Sequence, residues 1–194
     1  MIAADAPGEP DLWVFGYGSL IWNPGFAFTE CRTARLDGYR RGFALTSIRY
    51  RGTPEAPGLV LALDWAPGAI CLGRAYRVPR AEARGVAAYL QRREMVNRSY
   101  FEIALPVRLL PPGKEDGDAE TVEALTFAVD RTHRQYAGRL PLEDQARIIA
   151  HAAGPAGRNA VYLAETAAHL AELGIEDPDI AALDRRVKEI LGTS

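Results

Sequence analysis

Leu12-Trp13-Val14-Phe15-Gly16-Tyr17-Gly18-Ser19-Leu20-Ile21-Trp22 is the stretch on which the fold turns. Its first half is apolar and aromatic, the composition of a buried strand, and the Gly16-Tyr17-Gly18 step ends that strand in a tight turn. Glycine permits unusual dihedrals and close backbone approach, so consecutive N–H groups there can converge on a carboxylate or a developing oxyanion. The turn is not a phosphate-binding loop, since no lysine follows Gly18, and it lacks the third glycine of a dinucleotide fingerprint. Nor is it a nucleophile elbow, because Leu20 and Ile21 follow Ser19 where glycine is needed two residues on. As a bare pattern, a purely structural turn accounts for it equally well.

Outward from this turn the chain reads as one β-rich half and one helical half. Residues 1–10 form a loose tail without periodicity, and residues 11–194 are read as a single domain. Arg41–Ile48, Gly58–Asp64 and Ala69–Val78 are short β-prone runs parted by proline or glycine, as expected of antiparallel neighbours. Arg80 to about Met95 is rich in alanine, glutamate, arginine and leucine and predicts the first long helix. Strand composition returns at Tyr100–Leu110 and Thr121–Val129, separated by the proline-, glycine- and acid-rich loop Pro111–Glu120. Three helices close the chain. Pro141 with Glu143 and Asp144 opens the first, Asn159 is positioned to cap the second, and Asp177-Pro178 caps and opens the third. The order predicts an α+β fold built on a small, mixed, partly closed β-barrel flanked by helices.

Val86, Leu90 and Glu94 recur at intervals of four and share one face of the first long helix. A carboxylate that continues an apolar stripe is partly desolvated, which raises its pKa and suits it to act as a base near neutral pH. The plainer alternative is a solvated glutamate at a helix end, paired with Arg93 or Arg98.

Composition narrows the function. The chain has 194 residues, 48% of them hydrophobic, and a net charge of -2. That is enough to build a core, and it supplies no positive field for nucleic acid or an anionic membrane. A small-molecule partner fits best. The arginines between Arg32 and Arg51 are read as a solvated face. Cys31 and Cys71 form no CxxC and are expected to be reduced core residues, and His133, His151 and His169 lack paired ligand spacing, so neither a metal nor a Cys–His or Ser–His nucleophilic pair is expected. The absence of a leader-like start or a long apolar run makes the cytoplasm the expected location.

Three separated segments together resemble the ChaC family of γ-glutamylcyclotransferases. These are Val14 to Trp22, Tyr89-Leu90-Gln91-Arg92-Arg93-Glu94, and Pro141-Leu142-Glu143-Asp144 followed by Ala152-Ala153-Gly154-Pro155-Ala156-Gly157-Arg158-Asn159 and Tyr162-Leu163. Their order and spacing agree over nearly the whole chain from Trp13. The resemblance implies a cofactor-free lyase that releases 5-oxoproline from glutathione, with Glu94 as catalytic acid/base. It implies substrate binding by Val14, Phe15, Gly16, Tyr17, Gly18, Ser19 and Leu20, with Tyr136 near the pocket. Arg49 or Arg51 is a candidate partner for a carboxylate at the substrate's far end. One departure follows the base: glutathione-specific members carry Lys-Gly-Gly there, and this chain has Met95-Val96-Asn97. Other γ-glutamyl amines or amino acids therefore stand as the alternative substrates, and a non-catalytic sensor of a γ-glutamyl metabolite as the alternative role.

Overall fold

The apolar run that ends at Gly16 is one of five long strands that form a barrel in the computed structural model, which describes residues 10–95, 98–111 and 119–193. The chain runs β1 (Leu12–Gly16), a short 3-10 turn (Ser19–Ile21), β2 (Glu30–Ser47), β3 (Gly58–Val78), α1 (Arg80–Glu94), β4 (Tyr100–Leu109) and β5 (Glu120–Val129). It continues with α2 (Leu142–His151), the two-residue strands β6 (Ala153–Gly154) and β7 (Gly157–Arg158), α3 (Asn159–Glu172) and α4 (Pro178–Leu191). The long strands close into a barrel in the order β1-β3-β2-β4-β5. It is mixed, since β1 runs antiparallel to β3, with Leu12 opposite Val78 and Gly16 opposite Arg74, and parallel to β5, with Val14 opposite Leu125. Closure removes the exposed strand edges that an open sheet this small would present.

The described chain divides into two units, one of residues 1–39 and 65–128, the other of residues 40–64 and 129–194. In the first, Val86, Ala87 and Leu90 of α1 bury against Val14, Tyr76, Val78, Leu125 and Phe127 of the barrel and against Leu20 of the 3-10 turn. Placing one apolar helix face on barrel wall carries Glu94, one turn beyond Leu90, to the end of that packed stripe. In the second unit α4 packs against α2 and α3. The buried faces follow helical spacing: Ala146, Ile149 and Ala150 on α2, Leu163, Thr166 and Leu170 on α3, and Ile180, Leu183 and Val187 on α4.

Several readings of the sequence need correction. Gly58–Asp64 and Ala69–Val78 are one strand, not two, because Trp65-Ala66-Pro67-Gly68 is carried through with Gly68 at φ +80°. Trp65, Pro67, Gly68 and Ile70 face solvent, the setting in which a sheet tolerates proline and a bulged glycine. β2 begins at Glu30 rather than Arg41. Its signal is the alternation of buried Ala34 and Leu36 with the more exposed Arg35 and Asp37, which the arginines obscured. The arginine-rich face is not uniformly solvated, since Arg41 is buried and paired with Asp177 at 2.8 Å. Asn159 does not cap α3. It is fully buried and clasps the backbone of Leu59, accepting from its N–H at 2.7 Å and donating to its carbonyl at 2.8 Å. Asp177 does cap α4, accepting from Ile180 N–H at 3.1 Å with Pro178 in the first turn. Cys71 is buried, but Cys31 is half-buried and accepts from Arg74 Nε at 3.0 Å. The tail 1–10, apart from Pro10, and most of the loop Pro111–Glu120 lie outside the described residues.

Candidate active site

Gly16 ends β1 with almost no room beside it: a Cβ there would lie 2.9 Å from the Cβ of Leu20. The chain can therefore fold back at once into the 3-10 turn, whose first hydrogen bond runs from Ile21 N–H to Gly18 O at 2.8 Å. The N–H groups of Ser19 and Leu20 precede that bond, and in a helical turn such leading donors have no partner within the turn. Tyr76 of β3 fixes the turn from below, its buried hydroxyl lying 2.8 Å from both the Leu20 and Ile21 carbonyls. Burial first, and then the neighbouring Cys31, raise the Tyr76 pKa well above the usual phenol range, so it remains a neutral donor.

Glu94 ends α1, with about one-fifth of its side chain exposed. Burial pushes its carboxyl above the ordinary glutamate range, and the guanidinium of Arg93, whose Nε lies 3.2 Å from Glu94 Oε1, pulls back in the opposite direction. Burial wins. The carboxylate is desolvated rather than solvated, and of the plainer alternative only the pairing with Arg93 is present.

Arg93 is the residue that sequence reasoning undervalued. Its Nη2 donates to Ser19 Oγ at 2.8 Å, and its Nη1 lies 2.7 Å from Asn23 O, 2.9 Å from Tyr89 Oη and 3.3 Å from Pro24 O. One guanidinium thereby ties Glu94 to the glycine turn. The Tyr89 hydroxyl sits against Gly25, whose φ of +73° and lack of a side chain both suit that contact. The pairing of Arg93 with Glu94 is part of the plainer alternative that the sequence offers. The bonds to the turn had no sequence signal, since they join residues some 70 positions apart.

The remaining expected site residues distribute as follows. Val14 and Phe15 are fully buried, and Leu20 and Tyr17 nearly so, so these four offer a ligand chiefly backbone. Gly18 is buried and Ser19 half-buried beside the turn. Tyr136 belongs to the other unit, where its hydroxyl donates to Asp64 Oδ2 at 2.9 Å and Arg131 stands over its ring. Burial, and next the bond to Asp64, raise its pKa. Arg51, also in that unit, stacks on Tyr162 and reaches Arg158 O and Glu165, while Arg49 is exposed. Of the Met95-Val96-Asn97 departure that follows Glu94, Val96 and Asn97 lie outside the described residues. Among the described residues no group of three metal-ligating side chains occurs.

The closed barrel thus carries a glycine turn tied by one guanidinium to a desolvated carboxylate. The chain matches the family described as ChaC-like protein over residues 12–190, and it belongs to that family. It is 37% identical over 185 residues to the glutathione-specific γ-glutamylcyclotransferase of Escherichia coli (strain K12), covering 95% of this chain and 76% of that one. It is 38% identical over 189 residues to γ-glutamylcyclotransferase 2-1 of Arabidopsis thaliana, covering 93% and 83%. In fold it resembles the crystal structure of the glutathione-specific γ-glutamyl cyclotransferase from yeast, with a TM-score of 0.82 over 93% of this chain and 97% of that one at 24% identity.

Proposed function

We propose that this protein is a γ-glutamylcyclotransferase that converts glutathione to 5-oxoproline and Cys-Gly, with Glu94 as its acid/base. The observation that carries the reading is the Glu94 carboxyl, raised by burial and tied through Arg93 to the glycine turn. The names of the relatives point to the same substrate.

The α-amine of a γ-glutamyl group is mostly ammonium at neutral pH. In this mechanism Glu94 takes its proton, and the freed nitrogen attacks the γ-carbonyl carbon to close a five-membered ring. The carbonyl oxygen becomes an oxyanion, which the backbone donors of Gly18 to Leu20 and the Ser19 hydroxyl are suited to stabilise. The carbonyl re-forms as the bond to the cysteinyl nitrogen breaks, Glu94 returns the proton to that leaving amine, and the second proton, which the ring nitrogen sheds on becoming a lactam, passes through the same carboxylate so that Cys-Gly leaves as an ammonium. No water is consumed and no outside nucleophile is needed. Folding the substrate so that its own amine is the attacking group supplies much of the acceleration, since well-oriented intramolecular attack is worth about 7–11 kcal/mol at best.

This reading takes residues 11–194 as one catalytic domain, in keeping with a family match that spans both units. It also puts the enzyme in the cytoplasm, where its two free cysteines would stay reduced. Met95, in place of the lysine expected after the base, keeps other γ-glutamyl amines as a second substrate class. The test is to incubate the protein and its Glu94→Gln variant, both shown to be folded by circular dichroism, with glutathione and with a γ-glutamyl amine, and to quantify 5-oxoproline. Release from glutathione by the parent and at least a 100-fold loss in the variant is the expected result. Release from the γ-glutamyl amine alone would move the substrate assignment, and a parent that binds but releases nothing would leave a sensor.

A further inference from the structure

Adjacent residues on a helix point about 100° apart, so Arg93 and Glu94 are not a helix-face pair. They meet where the Arg93 side chain crosses from α1 to the glycine turn, and its guanidinium spreads its donors in three directions. Nε faces Glu94 Oε1, Nη2 faces Ser19 Oγ, and Nη1 faces the Asn23 and Pro24 carbonyls and the Tyr89 hydroxyl. A guanidinium holds five N–H donors in a rigid plane, whereas a lysine ammonium is a single point with rotating donors.

Two consequences follow for the reacting groups. A hydroxyl has one donor proton and two acceptor lone pairs. Because Ser19 Oγ accepts from Arg93, its own O–H must be directed elsewhere, as a donor. Likewise, with Oε1 of Glu94 facing Nε, Oε2 is the oxygen that remains to take and return a proton.

Building on the proposed reaction, we propose that Arg93 is the positioning residue of this site, a fork that holds the general base and the oxyanion-side hydroxyl in one fixed relation while touching no reacting atom itself. Its charge also holds the Glu94 carboxyl below where burial alone would put it. Geometry and charge are separable, because lysine preserves the charge and loses the fork.

The experiment compares the parent with Arg93→Gln, Arg93→Lys and Ser19→Ala in two measurements. The first is the pH profile of kcat/KM for 5-oxoproline release. Arg93→Gln is expected to lose about 100-fold or more and to move the acidic limb to higher pH, since the cation that favours carboxylate is gone. Arg93→Lys is expected to keep the limb near its parental position yet lose at least 10-fold, mostly in kcat. Ser19→Ala should lose about 10-fold without moving the limb, and combining it with Arg93→Lys should cost less than the product of the two losses. The second measurement is the Glu94 carboxyl titration by carbon-13 NMR, with its resonance assigned by its absence in Glu94→Gln. It needs no turnover, so a parent without activity would sink the proposed function while this titration still judged Arg93. A parental limb and rate in either Arg93 variant, or a Glu94 titration that Arg93→Gln leaves in place, would overturn the proposal. If Arg93→Gln does not fold, Arg93→Lys and Ser19→Ala decide it, and full additivity of those two would overturn the shared role.

Discussion

At the scale of a single residue, Glu94 carries a cost that its chemistry requires. Its folded-state pKa is raised above the unfolded value, chiefly by burial. The protonated form is therefore the one the fold favours. Stability from this group is fully present below the unfolded value, near 4.3, and is lost as pH rises through the raised folded value. At pH 7 the parent bears that penalty, and an amide does not. Glu94→Gln should thus melt higher than the parent at pH 7, and the difference should shrink toward zero near pH 4 in a series of thermal melts. A variant that melts lower at pH 7 would show that attraction to Arg93 outweighs burial. The expected pattern is that of a site where activity and stability pull apart. The four-residue spacing from Val86 and Leu90 was enough to anticipate the desolvation, because it is a local, periodic fact. The guanidinium fork was invisible to the same reading, because it depends on where the barrel wall sends the Ser19 turn.

At the scale of elements, what was legible was what obeys local rules. The end of β1 at Gly16, the helix from Arg80, the proline-led start of α4 and its Asp177 cap all follow from residues within a few positions of one another. What was missed was decided by distant partners. The Pro67-Gly68 pair looks like a strand end, yet β3 runs through it because flanking residues on both sides have barrel neighbours to bond. Asn159 looks like a cap and instead serves as an artificial strand partner, giving Leu59 both a donor and an acceptor from within a helix. That substitution of roles makes a sharp prediction. Asn159→Ala would leave a buried N–H and a buried carbonyl unpaired, a loss of about 2–4 kcal/mol. For a chain of this length the melting temperature should fall by about 5–15 °C. A fall of only a degree or two would mean that water reaches both groups.

At the scale of the whole molecule, neither unit is a continuous stretch of chain. Residues 40–64, the end of β2 and the start of β3, belong with residues 129–194. The ties are specific: Arg41 pairs with the Asp177 cap, Leu59 is held by Asn159, and Asp64 receives both Arg131 and Tyr136. A fragment of residues 129–194 lacks every one of those partners. It should show weak helicity and no cooperative melt by circular dichroism, and a cooperative melt from that fragment alone would contradict the division. The same interleaving sets a schedule for synthesis. Phe43, Leu45, Leu59, Leu61 and Leu63 are buried in the finished protein, but they leave the ribosome well before the last third of the chain that completes their unit. At about 5–20 residues per second, that apolar stretch waits several seconds with its unit unfinished. The nascent chain is therefore expected to depend on chaperone cover during exactly that interval, far more than the mature enzyme ever does.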